Sequence, residues 1–170
     1  MRAGRNEEAQ AAFDEAAKAD PDNPVVISLS FDRALERRDE AAAAELATRA
    51  TAKNLDRMEG RLFRARVALQ KGQIAEALLL LQQAVELDPV NPLAHRLLGQ
   101  AYVLNRDVAK GIKSLERAVS IKPDDSTALL LYRNALAGSG QPGEALNAAR
   151  GALRFGINDP NFLDVGLDLE

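Results

Sequence analysis

The chain repeats a pattern of small and apolar residues at a period of about 34 positions. The pattern is clearest from Gly72 to Pro89, where Ala and Leu recur at helical spacing. Residues of the same kinds return one period later, and the pairs are Ala77 with Gly111, Leu81 with Leu115, Ala84 with Ala118 and Pro89 with Pro123. A fixed period of this length is typical of stacked helix pairs, and it runs through the whole chain without an insertion.

The spacing of apolar positions predicts helices along the whole chain, and turn residues mark their ends. Asn23 is placed to cap the second helix and Pro24 to open it, and Asn91 and Pro92 repeat this arrangement. Other predicted N-caps are Asp39, Asp125 and Asp159. No segment alternates like a strand. We therefore predict an all-α fold of about ten helices, at 5–19, 24–37, 40–53, 58–70, 73–87, 92–104, 107–121, 126–137 and 141–155, with a last helix from Pro160.

Composition narrows the class of protein but not its partner. Hydrophobic residues make up 46% of the chain and aromatic residues only 4%, which suits many thin helical layers. The net charge is −3, whereas nucleic-acid binders are more often basic, so we predict no nucleic-acid partner. No apolar run is long enough to cross a bilayer, so we expect no direct membrane insertion. The Arg and Ala content suggests a bacterial source, and both periplasm and cytoplasm fit the composition.

Residues that often carry chemistry are either absent or isolated in this sequence. The chain has no cysteine, which removes disulfides and thiolate metal sites. His95 is the only histidine, so it lacks the partners of a transition-metal site, and we predict a packing role for it. Residues 138–143 spell the glycine fingerprint of dinucleotide-binding folds, but a helix rather than a strand is predicted before them. We therefore predict no cofactor, no metal and no enzymatic activity.

The repeated pattern resembles the tetratricopeptide repeat (TPR), a helix–turn–helix unit of about 34 residues. The unit at 92–125 carries it most clearly, through Leu98, Gly99, Tyr102, Gly111, Leu115, Ala118 and Pro123. The resemblance implies a right-handed superhelical solenoid of antiparallel helix pairs, with Tyr102 and Leu115 buried between closely approaching helices. The single array at 1–170 then consists of a second helix of an incomplete repeat at 1–23, repeats at 24–57, 58–91, 92–125 and 126–159, and the start of a truncated repeat at 160–170.

Both ends of the chain fall within a repeat. We therefore expect the chain to be part of a longer array, in which Phe13 and Phe162 would face neighbouring helices that this chain lacks. Self-association through the incomplete terminal repeats is a further hypothesis.

Several arginines depart from the family pattern. Arg38 and Arg106 occupy the turn between the two helices of a unit, where Gly72 and Gly140 easily adopt a positive φ. Arg133 replaces a small residue in the first helix of its unit. We expect its aliphatic stem to carry the guanidinium out to solvent, or else the helix to be rotated.

The resemblance also implies that the first helices of the units line a concave groove. The candidate partner-binding residues are Ser28, Leu62, Arg96 and Leu130 at one repeat position, and Asp32, Arg66, Gln100 and Asn134 at another. This mixture of polar and aliphatic side chains suits an extended peptide or a partner helix. Arg66 and Arg96 are candidates to bind a carboxylate together, and the alternative is that Arg66 pairs with Asp32 or Glu59. No three consecutive units supply the Lys and Asn set with which the family clamps chaperone C-termini.

The sequence thus predicts a non-catalytic scaffold that binds a peptide or partner protein in its concave groove. By family analogy we expect it to serve a bacterial envelope, secretion or exopolysaccharide-export assembly. The alternative is a substrate-recruiting TPR segment of a larger enzyme, such as a glycosyltransferase.

Overall fold

Helices account for nearly all of the described chain. The computed structural model describes residues 2–52 and 57–155, with side chains for residues 11–50 and 58–155. Within those residues there is no strand, and the nine helices are α1 Arg2–Ala19, α2 Pro24–Glu36, α3 Glu40–Ala52, α4 Arg57–Gln70, α5 Ile74–Leu87, α6 Pro92–Leu104, α7 Val108–Ile121, α8 Ser126–Gly138 and α9 Pro142–Arg154. The all-α prediction is confirmed. The N-cap predicted at Asp159 and the helix predicted from Pro160 lie outside the described residues.

Capping side chains start the helices where the sequence predicts them. Asn91 Oδ1 accepts a 2.9 Å hydrogen bond from a backbone N–H in the first turn of α6, and Asp125 Oδ1 accepts one of 3.0 Å in α8. Asn23 and Asp39 cap α2 and α3 in the same way. Each cap satisfies an N–H that the start of a helix leaves without an intrahelical partner. Three residues predicted as helical are instead the residues just before α5, α7 and α9, namely Gln73, Asp107 and Gln141.

The turns between the helices of a pair adopt left-handed backbone conformations, as predicted. φ is 70° at Gly72 and 78° at Gly140, and it is 56° at Arg38 and 63° at Arg106. This region costs a residue with a Cβ atom about 1 kcal/mol relative to glycine. Because arginine and glycine adopt the same conformation here, the packing of the helices rather than the identity of the turn residue sets the geometry. The glycine fingerprint at residues 138–143 belongs to one of these turns, between α8 and α9.

Two compact units divide the chain, Met1–Val67 and Ala68–Glu170, and the boundary falls within α4. The handedness predicted for the array stays a prediction. None of the helices in the described part of the chain is both long and apolar enough to cross a membrane.

The first unit packs α2 against α3 and α4 around a pair of stacked aromatic rings. The rings of Phe31 and Phe63 lie 4.4 Å apart between centroids at an interplanar angle of 25°. Alanines of α3 belong to the same core, together with Ile27 and Val67. Alanine side chains are small, so the helices approach closely, and the two aromatic rings fill the remaining space. A close-packed core therefore needs few large side chains.

Phe13 has a neighbour within the first unit, which corrects the expectation that it faces an absent one. The Arg33 guanidinium lies over the Phe13 ring, with Cζ 3.9 Å from the ring centroid. Arg33 also lies 3.9 Å from an Asp14 carboxylate oxygen. The cation–π contact therefore joins α1 to α2. Phe162 lies outside the described residues.

The second unit brings α6 and α7 together through two glycines. A Cβ atom built on Gly99 would lie 2.5 Å from Leu115 Cγ, and one built on Gly111 would lie 2.6 Å from Val103 Cγ2. Neither distance leaves room for a methyl group, so the close approach requires glycine at both positions. Leu115 is fully buried, as predicted. Tyr102 is only half-buried, which corrects its prediction as a core residue, and its hydroxyl accepts a 2.9 Å hydrogen bond from Gln82 Nε2.

Candidate functional site

Asp32 and Arg66 bind each other in the first unit. They lie one period apart on α2 and α4, and Arg66 Nη1 is 2.6 Å from Asp32 Oδ1. The guanidinium also lies 5.0 Å from the centroid of the Phe31 ring. Of the two roles that the sequence leaves open for Arg66, the structure shows the ion pair with Asp32. The pair joins α2 to α4 through a charge-assisted hydrogen bond.

Arg96 also has a carboxylate partner, in the second unit. Its Nε lies 3.4 Å from Asp125 Oδ2, while the other oxygen of Asp125 caps α8. Arg96 therefore ties α6 to the start of α8. That Arg66 and Arg96 bind one carboxylate together stays a prediction, and each guanidinium already has an acidic partner.

The remaining residues of the first predicted set differ in exposure. Leu62 is 4% exposed, so we correct its assignment from an open groove surface to the core. Leu130 is half-buried and packs against Leu129 and its neighbours in α9. Ser28 is half-buried on α2. None of the three presents a fully open side chain to a partner.

Gln100 and Asn134 lie together on one pocket of the second unit. The pocket has a volume of about 220 Å³ and is lined by Gln100, Val103, Leu104, Leu115, Leu131, Asn134 and Ala135. Two amide side chains therefore accompany an otherwise aliphatic surface between α6 and α8. The volume accommodates one aliphatic side chain, and the amides are able both to donate and to accept hydrogen bonds. We name it the α6/α8 pocket.

The sequence pointed to the amides but missed much of the aliphatic lining of the α6/α8 pocket. Leu104 follows Gln100 by one helical turn, and Leu131 precedes Asn134 by three residues. These spacings place the leucines on the same helix faces as the amides. Extending each candidate by one turn would have found both leucines.

The described residues include side chains of the kinds that ligate metal ions. None of them forms a group of three or more His, Cys, Asp or Glu side chains able to hold a metal ion. His95 is half-buried, and its Nε2 lies 3.0 Å from the Pro89 carbonyl oxygen, which ties α6 to the turn before it. This contact agrees with the predicted packing role.

The architecture, paired helices whose residue pattern recurs at a fixed period, defines a helical repeat protein. A family model described as tetratricopeptide repeat matches residues 29–92 and again 64–126, and another of the same description matches residues 1–23. Together these matches cover more than half of the chain. The chain belongs to the tetratricopeptide repeat family.

Solved structures show the same fold. A thermophilic TPR protein of Thermus thermophilus is 21% identical with a TM-score of 0.78, and the match covers 98% of this chain and 90% of that one. YrrB, described as a TPR protein with an unusual peptide-binding site, is 16% identical with a TM-score of 0.66 over 97% of this chain and 85% of that one. MamA from Desulfovibrio magneticus is 20% identical with a TM-score of 0.63 over 91% of this chain and 87% of that one. At these identities the likeness concerns the fold.

Proposed function

We propose that this chain is a non-catalytic interaction scaffold and that the α6/α8 pocket binds an extended peptide segment of a partner protein. The proposal depends on one observation, that Gln100 and Asn134 both line the same mainly aliphatic pocket. Peptide recognition of this kind combines hydrogen bonds to the main chain with a pocket for a side chain. A structural neighbour described by its peptide-binding site adds support from the same fold.

The proposed ligand is an internal peptide segment with an aliphatic side chain, rather than a free C-terminal carboxylate. The lining of the pocket contains no lysine or arginine. Arg96, the basic residue of α6, is engaged with Asp125. A carboxylate in the pocket would therefore lose its hydration without gaining a bidentate partner from the lining.

We keep the wider setting as part of the proposal, on family analogy alone. The setting is a bacterial envelope, secretion or exopolysaccharide-export assembly, which the scaffold would help to hold together. The alternative, a segment that recruits substrate for a larger enzyme, uses the same pocket with a different partner.

Selection from a random peptide library tests the proposal. We expect the selected peptides to share an aliphatic residue and to bind with affinities measurable by fluorescence anisotropy. Leu104→Lys places a charge at the pocket and should weaken binding by about tenfold or more. Leu79→Lys is the matched control, because Leu79 is 57% exposed, much like Leu104 at 52%, and lies outside the pocket lining. Equal binding by both variants and the wild type would rule out the α6/α8 pocket.

A further inference from the structure

Arg133 is buried beside the α6/α8 pocket, although the repeat pattern calls for a small residue there. Its side chain lies on α8 and is 4% exposed, so the guanidinium neither reaches solvent nor follows the predicted outward path. Its Nη2 donates a 2.6 Å hydrogen bond to Asn134 Oδ1. A buried charged donor therefore holds a residue that lines the pocket.

The contact fixes which way the Asn134 amide points. A guanidinium has five N–H donors and no acceptor, so only the oxygen of the amide can face it. The two N–H groups of Asn134 Nδ2 are then directed away from Arg133. They meet no acceptor from the part of the chain that the structure describes. We propose that Arg133 is a positioning residue that makes Asn134 a fixed hydrogen-bond donor, so that the pocket selects a carbonyl oxygen of the bound peptide.

The charge of Arg133 should also strengthen the donor that it positions. Hydrogen bonds in a chain polarise one another, and the effect grows where the local dielectric is low. A cation bound to Oδ1 draws electron density from the amide and leaves the Nδ2 protons more positive. Gln100 differs, because its amide has no hydrogen-bond partner among the described residues and is able to present either end. Asn134 therefore sets the direction of the peptide, and Gln100 adapts to it.

This inference rests on the proposed function, because it describes how the same pocket recognises its peptide ligand. A purely structural role for the Arg133–Asn134 contact leads to a different expectation. Asn134→Asp keeps the size of the side chain and gives Arg133 an ionised acceptor, which strengthens the contact. It also removes both N–H donors. The same substitution should thus preserve or raise stability while it weakens binding.

The test uses N-acetyl-leucine N′-methylamide, a capped residue with one aliphatic side chain between two carbonyl groups. Titration into the ¹⁵N-labelled full chain is followed through the backbone signals of pocket residues and the side-chain NH₂ signals of Asn134. In the wild type we expect saturable shifts of both. Asn134→Asp should weaken binding by about tenfold or more, without a lower melting temperature. Arg133→Met, which keeps an aliphatic stem, should weaken binding by roughly threefold to tenfold and make the Asn134 NH₂ group more mobile.

The outcomes separate the inference from the proposed function. If the wild type shows no shifts at the pocket with the leucine probe, the pocket itself is wrong, and the inference falls with it. If the wild type binds and Asn134→Asp binds equally well, the donor role of Asn134 is refuted while the pocket stands. If Arg133→Met folds and leaves both the affinity and the mobility of the Asn134 NH₂ group unchanged, Arg133 does not position it.

Discussion

The two units place different chemistry at the same repeat position. In the first unit, Asp32 and Arg66 form an ion pair of 2.6 Å between α2 and α4. In the second, Gln100 and Asn134 occupy the corresponding positions on α6 and α8 and line a pocket of about 220 Å³. The repeat position that holds an ion pair in the first unit thus holds two neutral amides in the second. Under the proposed function, we expect the residues at this position, more than the shared helix-pair fold, to decide where a peptide binds.

The cores of the two units also differ, in the kind of residue that lets their helices pack. The first unit relies on the stacked rings of Phe31 and Phe63 beside alanines. The second relies on glycines, since Gly99 and Gly111 let α6 and α7 approach closely. We therefore expect the stability of the first unit to be most sensitive to the removal of side-chain volume. The stability of the second unit should be most sensitive to added side-chain volume.

The largest stability effect should come from Phe31→Ala. Phe31 is fully buried, and its removal leaves a cavity against Phe63, so we expect a loss of about 3–5 kcal/mol in the free energy of unfolding. Urea denaturation followed by circular dichroism measures it. Phe155→Ala is the control, because Phe155 is 53% exposed. A loss no greater than that of the control would mean that the ring stack does not hold the first unit together.

Gly111→Ala should destabilise the second unit by about 1–3 kcal/mol, because the new methyl group would meet Val103 at 2.6 Å and the Gly99 carbonyl oxygen at 3.1 Å. The matched control is Gly151→Ala within α9, where a Cβ atom meets nothing within 4 Å. That variant should gain about 0.5–1 kcal/mol from the higher helix propensity of alanine. The same urea measurement serves both, and effects of equal sign would contradict the close α6–α7 approach.

Relief of the left-handed turns should raise stability by a smaller amount. Arg38→Gly and Arg106→Gly each remove a Cβ atom from a residue at positive φ, with an expected gain of about 0.5–1 kcal/mol. Arg37→Gly is the control, because φ is −80° there and glycine only adds freedom to the unfolded chain. Thermal melts should move up for the first two variants and down for the control. A loss of stability in both turn variants would show that the arginine side chains themselves hold the turns.

Breaking the ion pair of the first unit should have the smallest effect. Asp32→Asn keeps the size of the side chain and removes its charge, and both partners remain partly exposed to water. We expect a loss of about 1 kcal/mol or less, reduced further by added salt. A much larger loss in the free energy of unfolding, measured by urea denaturation, would mean that the ion pair rather than the aromatic stack is the main stabilising contact of the first unit.

The helix pattern was predictable because it follows from local rules. Capping by Asn91 and Asp125, and positive φ at Gly72 and Gly140, depend on residues close together in sequence. The side-chain pairing of the site was harder to foresee, because it depends on contacts between helices. The sequence offered Asp32 and Glu59 equally as partners of Arg66, and only the packing of α2 beside α4 decides between them.

Arg133 shows where the pattern misleads. The sequence left two alternatives for Arg133, that its stem carries the guanidinium out to solvent or that the helix is rotated. The side chain is buried, with its Nη2 bound to the Asn134 oxygen, a contact between adjacent residues that helical periodicity does not reveal. Departures from a repeat pattern thus indicate where to search for function, although they do not show what the side chain does there.

Exchange of chemistry between the units tests the account most directly. Gln100→Arg with Asn134→Asp would install an ion pair across the α6/α8 pocket, its acidic member facing Arg133. The measurement is the dissociation constant of a library-selected peptide, with Asp32→Asn plus Arg66→Gln as the matched control. We predict about tenfold or greater weakening for the first variant and wild-type affinity for the control, with the helical circular dichroism of both retained. Undiminished binding by the first variant would contradict the claim that the open amide position of the second unit is the binding site.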